Sequence, residues 1–508
     1  FRKQVVSSLG ADIQLSRNVF GLVDNVLAKE QTTEWQAQLS YNQVGQEIER
    51  RIGSLTSKFD YDYAGRVKEH KVQSNGHANR HKQYEWGVND KLYKITDLLN
   101  NNSISFDYDK FDNLVQSLTS AMEVENFFRD DVGNIYKTKD KKDRKYSAGG
   151  KLLATKENKY EYDEEGNLIK KETPTGDWLY EWAGNGMLRK VIRPDKEEVC
   201  FEYDALGRRT AKIFKNKITR WVWDGSKPVH EWNYDVKERP KTIINEFGLL
   251  SKDKSEPIEN LITWVFDEGT LRPAAKLQDG ESYSIITDYL GTPAEAYDSK
   301  GEKIWECELT SSGKIRKITG LSSFIPFRYQ GQYEDEETGL YYNRFRYYAP
   351  EEGMYITQDP ITVRGGNRFY AYVKDTNFLL DVYALAESVY QLVDSDGNVV
   401  YYGITDRPPL ERANEHVRDG KDFAHMEVLA DDLTHDQARS LEGGLIRERL
   451  ADNVDKYLDT DSVEDKLSKS GLLNKNRGRV EERWISKDPV GDVPQLKDKK
   501  KIVPTTCR

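Results

Sequence analysis

Basic side chains gather at Lys475–Arg483 and again at Lys497–Arg508, late in a 508-residue chain of net charge −10. Arginine and lysine in such clusters can contact a phosphate backbone. From Ala386 onward, however, the chain carries about −5, which does not steer nucleic acid from a distance. Nucleic-acid binding there would be local and salt-sensitive. A disulfide framework and a cysteine zinc site are excluded more directly. Cys200, Cys307 and Cys507 are scattered, with neither a disulfide framework nor a zinc spacing. No apolar run approaches the roughly 18 residues of a spanning helix, and Phe1-Arg2-Lys3 opens without a leader pattern. A start without Met, in mid-pattern, reads as a fragment or processed product of something longer.

Whatever carries chemistry must be positioned by a scaffold, and the first two thirds of the chain show one. An aromatic, a polar residue, a second aromatic, an acidic or small polar residue, two variable residues and a glycine recur. Clear copies are Tyr160-Glu-Tyr-Asp-Glu-Glu-Gly166 and Phe201-Glu-Tyr-Asp-Ala-Leu-Gly207. Phe59-Asp-Tyr-Asp-Tyr-Ala-Gly65 has the same heart but reads as one position out. The central positions are Tyr41, Tyr61, Trp86, Tyr108, Arg129, Tyr162, Trp182 and Tyr203, at steps of roughly 20 residues. The long step from Arg129 to Tyr162 reads as an insertion. Alternating aromatic and polar residues suit strands with one buried face, and Asp-x-x-Gly suits a turn with glycine at positive φ. One hairpin cannot bury its aromatics alone, whereas stacked hairpins can, so the expectation is a long coiled β-sheet.

Beyond Phe201 the copies become irregular, as in Trp221-Val-Trp-Asp-Gly225. Then follow Thr287-Asp-Tyr-Leu-Gly-Thr-Pro293, Phe327-Arg-Tyr-Gln-Gly331, Glu337-Thr-Gly-Leu-Tyr-Tyr-Asn-Arg-Phe-Arg-Tyr-Tyr348 and Gln358-Asp-Pro-Ile361. The repeats resemble the YD repeat of Rhs proteins and of the Tc toxin C component, and the stretch from about 285 to 385 resembles the Rhs-associated core. The resemblance implies a spiral β-sheet shell around a toxin. It also implies self-cleavage after Leu385 by an aspartic-protease-like pair, Asp359 and Asp381, with Arg346 nearby. Two close carboxylates cannot both ionise easily, so one serves as acid and the other as base toward water. Val382 stands where the family has Pro, and Ala384 where it has Gly.

Past Leu385 the aromatic repeat stops. Val389-Tyr-Gln-Leu-Val393, an Asp-Gly turn at 394–398 and Val399-Val-Tyr-Tyr-Gly-Ile404 read as a hairpin. A helix from about Leu410 to Arg418, a strand near His425 to Leu429 and a capped amphipathic helix from about Thr434 to Leu450 follow, in the order ββαβα. This tail resembles a GIY-YIG (URI-fold) nuclease: Ser388-Val389-Tyr390 and Tyr401-Tyr402-Gly403 stand as its two motifs. By that resemblance Tyr390 and Tyr401 activate or orient water, Arg412 neutralises phosphoryl charge, and Glu442 binds Mg²⁺ or another divalent metal. Asn474 orients Glu442 or the phosphate, while Lys475, Arg477 and Arg479 contact the backbone. His416, one helical turn past Arg412, faces the same side and is placed to relay a proton.

The expected fold class is therefore mainly β: a YD-repeat shell over 1–284, an Rhs-associated core over 285–385 with a self-cleavage site, and an α/β toxin domain over 386–508. The resemblance implies a secreted or injected effector whose released domain cuts DNA in the cytoplasm of a competitor or host cell. Its expected partners are a cognate immunity protein, a delivery apparatus and the N-terminal remainder of the protein. Two alternatives remain: a tail with another activity, such as RNA cleavage or nucleotidyl or ADP-ribosyl transfer, and a non-enzymatic YD-repeat surface protein.

Overall fold

A computed structural model describes residues 2–130, 133–147, 149–244, 249–359, 369–381, 384, 387–405, 416, 423–433, 445 and 500–502. Its backbone divides into two units, Phe1–Thr357 with Tyr370–Val382, and Gln358–Phe369 with Tyr383–Arg508. Regular structure among the described residues is overwhelmingly β-strand, as the alternating pattern requires. The two helices expected in the tail lie outside the described residues, except that His416 and Leu445 are helical.

Each repeat turns on the same local chemistry. Asp62 Oδ1 accepts the backbone N–H of Ala64 at 2.9 Å and of Arg66 at 3.0 Å, and the Gly65 N–H donates to the Asp62 carbonyl at 3.0 Å. Gly65 sits at φ +83°, a left-handed conformation that glycine adopts without a Cβ clash. Just before Tyr61 the strand pairing slips by one residue, a β-bulge that bends and twists the strand. The same slip precedes Tyr41, Trp86, Tyr108, Tyr162, Trp182 and Tyr203. The copy at Phe59 is thus in step with the others, not one position out.

The bulged residue then reaches back to a strand laid down earlier in the sequence. Tyr41 Oη donates to the Val23 carbonyl at 2.6 Å, Tyr61 Oη to Glu47 at 2.6 Å, Trp86 Nε1 to Val67 at 2.7 Å and Tyr108 Oη to Leu92 at 2.9 Å. Trp182 reaches Leu168 at 2.8 Å and Tyr203 reaches Leu188 at 2.7 Å. Arg129 makes the same tie, Nη1 to the Leu114 carbonyl at 2.6 Å. What the position demands is a long side chain with a polar hydrogen at its end, so Tyr, Trp and Arg all serve. Tyr146 Oη also donates, to Ile135 at 2.7 Å, with a bulge before it. The long step between Arg129 and Tyr162 therefore holds a further, shorter repeat, not an insertion. Each tie contributes about 1 kcal/mol net. Two positions before the bulged residue, Tyr84, Phe106, Phe127, Tyr160 and Phe201 are all buried.

In the first unit these hairpins join into a 12-stranded antiparallel sheet from Gln4–Val6 to Val124–Asn126 and a 16-stranded one from Arg144–Tyr146 to Ile315–Thr319. A small hairpin, Thr242–Ile244 with Leu250–Lys252, interrupts the sequence order of the second sheet. The two sheets bury a shared core in which Trp35 and Val72 pack with Val265 and Tyr297, and Trp35 Nε1 donates to Ser284 Oγ at 3.0 Å. A four-stranded sheet, Tyr333–Asp335, Leu340–Asn343, Arg346–Ala349 and Met354–Tyr355, completes the unit.

That last sheet is anchored by charge. Arg209 and Asp335 are both essentially inaccessible to solvent and pair at 2.5 Å, with Lys212 adding a contact to Asp335 at 3.2 Å. The guanidinium lies 4.6 Å from the Trp221 ring centre and 4.5 Å from that of Tyr342. Removing one partner of such a pair leaves an uncompensated buried charge. Asp335→Asn is expected to cost about 3–5 kcal/mol, read as a lower urea midpoint of the full chain. Lys254→Ala, which removes a pair whose partners are both largely exposed, leaves the midpoint unchanged.

Candidate functional site

Two polar constellations stand out, one in each unit. In the first unit, strands Leu340–Asn343 and Arg346–Ala349 form a tight hairpin in which Asn343 pairs with Arg346, and Met354–Tyr355 pairs alongside. Arg344 in the turn takes φ +56°. Arg346 is 3% exposed and its guanidinium lies 3.7 Å from the Tyr355 ring centre. Its Nη2 contacts Asp381 Oδ2 at 3.1 Å. Tyr355 Oη donates to the same oxygen at 2.8 Å. Asn343 Nδ2 donates to Tyr355 Oη and to the Asp381 backbone carbonyl, both at 2.9 Å. The structure therefore brings together Arg346 and Asp381, and adds Tyr355 and Asn343, which sequence reasoning passed over. Both sit in a run of buried aromatics, where a lone Asn was the available signal.

Asp359 belongs to the second unit, where it is buried and its backbone N–H donates to the Phe369 carbonyl at 2.9 Å. Leu385 lies outside the described residues. Ala384, buried, takes φ +56°. This left-handed conformation favours glycine and costs an L-residue roughly 1–2 kcal/mol. The turn is thus built with alanine at the strained position.

In the second unit, Glu387–Val393 runs between Val399–Thr405 and His425–Leu433, and Lys500–Ile502 adds a fourth antiparallel strand beyond the third. The hairpin turn at Asp394 repeats the shell's chemistry, with Gly397 at φ +84°. Tyr390 stands opposite Gly403, and Leu392 opposite Tyr401, so both tyrosines share one face. Their rings are 6.1 Å apart and nearly parallel. His416, fully buried, comes down on this face: its Nε2 is 2.6 Å from Tyr390 Oη and its ring 5.1 Å from that of Tyr401. Phe423 closes the group from the edge. Of the residues predicted for this site, Tyr390, Tyr401 and His416 are thus brought together. Arg412, Glu442, Asn474, Lys475, Arg477 and Arg479 lie outside the described residues.

Gly403 makes this packing possible. A Cβ there would lie 2.6 Å from both Tyr390 Oη and Tyr401 Cε1. Gly403→Ala is expected to push the two phenols apart and to separate Tyr390 from His416. The altered tyrosine environment should show as a changed near-ultraviolet circular dichroism, with the far-ultraviolet spectrum kept.

Bulged aromatic hairpins closed by Asp-x-x-Gly turns and stitched by side-chain-to-carbonyl ties define a YD-repeat β-shell protein. The chain belongs to the teneurin YD-shell family, whose profile matches residues 11–391. Among curated proteins it is 29% identical to the double-stranded DNA deaminase toxin A of Burkholderia cenocepacia over 67% of this chain and 25% of that one. It is 30% identical to the probable deoxyribonuclease RhsB of Dickeya dadantii over 47% of this chain and 16% of that one. It therefore spans a quarter or less of these relatives. Among solved structures, the TcdB2–TccC3–Cdc42 crystal structure shares the fold with a TM-score of 0.54 at 16% identity, over 75% of this chain and 21% of that one.

Proposed function

We propose that this chain is the C-terminal part of an Rhs-type bacterial toxin, in which the YD-repeat unit contains and delivers an effector enzyme carried after it. The effector, from about Ala386, is a metal-dependent DNA endonuclease that kills competitor or host cells. It is separated from the shell by self-cleavage after Leu385. The observation that carries the nuclease reading is the buried Tyr390–His416 hydrogen bond beside Tyr401. The shell family of the chain and the naming of its relatives as a deaminase toxin and a deoxyribonuclease support an enzymatic toxin. A delivery apparatus and a cognate immunity protein are the partners this reading requires.

In phosphodiester hydrolysis water attacks phosphorus, its proton leaves to a base, and negative charge grows on the phosphoryl oxygens and the leaving oxygen. His416 Nε2, when unprotonated, accepts the Tyr390 hydrogen; as water attacks, the phenol passes that proton to His416 and takes the water's proton in its place. The nearby Tyr401 ring fixes the angle of both groups. Arg412 neutralises the phosphoryl oxygens, Asn474 orients the phosphate, and Lys475, Arg477 and Arg479 hold the flanking backbone. Two phenols and an imidazole are not a donor set for a hard divalent cation, which takes carboxylate and carbonyl oxygen, so Glu442 is the residue that would hold it. Mg²⁺ there would neutralise charge on the leaving oxygen.

The test is plasmid DNA with purified 386–508, wild type beside Glu442→Ala, in Mg²⁺ with and without EDTA. Loss of intact plasmid for wild type alone, and only with metal, is the expected result. Intact DNA in every lane from a folded domain overturns the nuclease reading; RNA and nucleotide substrates in parallel lanes then identify the class of activity.

A further inference from the structure

The 12-stranded sheet runs in sequence order, so alternate turns fall on the same rim. On one rim the loops at 18–22, 42–46, 62–66, 87–91 and 109–113 share one design: the N–H of the first residue donates to the carbonyl of the fifth at 2.8 to 3.0 Å. The second and third residues form the tips. They are Val19-Phe20, Gln43-Val44, Tyr63-Ala64, Val88-Asn89 and Lys110-Phe111. The large apolar side chains among them are between 69% and 100% exposed. No tip residue is acidic, in a chain of net charge −10.

Neighbouring loops are tied into a ledge. Gln46 Nε2 donates to the Gly65 carbonyl at 2.9 Å, Arg66 Nη1 to that of Gly87 at 2.8 Å, and Asn89 Nδ2 to Asp112 Oδ2 at 3.2 Å. The carboxylates of these loops are answered from within the ledge. Arg66 meets Asp62 and Asp90, Lys91 meets Asp112, and Asn113 with backbone N–H groups meets Asp109. The other rim is different. Its turns at 31–32, 53–54 and 75–76 carry no large apolar residue, and Asn75 Nδ2 donates to the Lys300 carbonyl, in a turn of the second sheet, at 2.9 Å.

We propose that the tip rim is a membrane-docking edge, which seats the first unit on a lipid bilayer with Phe20, Val44, Tyr63, Val88 and Phe111 at the boundary of headgroups and acyl chains. Loops two strands apart are separated by about 10 Å, so the row runs about 40 Å. Exposed apolar surface on that scale marks an interaction site. The tips are separate projections with polar loop backbone between them. A protein partner would need a socket for each tip and a hydrogen-bonding group for each stretch of backbone. A bilayer interface needs neither, because it is fluid: apolar and aromatic side chains enter it while the backbone stays among wet headgroups. Charge points the same way. With its acids paired and Lys110 exposed at a tip, this rim lets an otherwise acidic chain approach anionic lipid with little repulsion.

The experiment floats the full chain through a density gradient with vesicles of phosphatidylcholine alone, or with about a quarter phosphatidylglycerol. The wild-type chain is expected to rise with the vesicles. The combined variant Phe20→Ser, Tyr63→Ser and Phe111→Ser is expected to partition about a hundredfold more weakly, with its circular dichroism and urea midpoint kept because all three positions are exposed. Leu321→Ser, at an exposed apolar site off this rim, should float like wild type. Wild type that stays at the bottom with both lipids overturns the proposal. So does a triple variant that floats like wild type, or an equal loss in Leu321→Ser. Sedimentation without lipid tests the other occupant: a wild-type dimer that the triple substitution returns to monomer, with no flotation, makes the rim an interface between copies and overturns the lipid assignment.

Discussion

On the proposed self-cleavage, the Asp381→Asn chain is expected to remain a single polypeptide where the wild-type chain is expected to separate into a fragment ending at Leu385 and a domain beginning at Ala386. Asparagine keeps the shape of the side chain and can still accept the Tyr355 and Arg346 hydrogens through its oxygen. It cannot take a proton from water at working pH. Loss of a positioned general base is expected to slow cleavage about 10²–10⁴-fold. Mass spectrometry of the wild-type products fixes the junction, and a wild-type chain that stays whole after folding would remove the proposal. Arg346→Lys should slow cleavage without abolishing it. It keeps the charge but replaces a planar guanidinium that both stacks on Tyr355 and contacts Asp381. Ala384→Gly should leave the junction in place while raising stability, because it removes a side chain from a left-handed position.

On the nuclease reading, His416→Ala and Tyr390→Phe are each expected to abolish DNA cleavage by the second unit, and the double substitution to do no further harm. Both act through one hydrogen bond of 2.6 Å, so cutting either end removes the same function. The expected loss in plasmid cleavage is about 10²–10⁴-fold for each single variant, with no further factor in the pair. Losses that multiply would show that the two side chains act independently and would break the proposed unit. Tyr402→Phe supplies the contrast. Tyr402 stands opposite Gln391, on the other face of the sheet, where Gln391 Nε2 donates to Glu427 Oε2 at 2.7 Å. Its hydroxyl is remote from the His416 face, and cleavage should be kept.

The turns and strands were legible in the sequence because their causes are local. Asp62 and Gly65 make their turn from four adjacent residues, and the alternation of buried and exposed side chains follows from strand geometry. The ties between hairpins were not legible. A tie needs only a long side chain with a terminal donor, so Tyr, Trp and Arg are equivalent in space while looking unlike as letters. That is why Tyr146 went uncounted. In the same way, Tyr390 and Tyr401 could be chosen from motif order, and His416 from its spacing to Arg412. That Gly403 must be bare for the phenols to meet is visible only when the facing strand is in place. The strand Lys500–Ile502 had no sequence signal, since three residues are too few to show a period. Tyr355 and Asn343 escaped because their partner, Asp381, is distant in sequence and only the hairpin of the last shell sheet brings them to it.

The ladder of ties has a direction. Tyr41, Tyr61, Trp86, Tyr108, Arg129, Tyr146, Trp182 and Tyr203 each donate to a carbonyl that precedes them in the chain. A ribosome releases the chain in that same order. Every hairpin leaving the exit tunnel therefore carries its own hook, and the loop it must catch has already been made. The wall can rise course by course during synthesis, before the segment bearing Tyr390 and His416 is made.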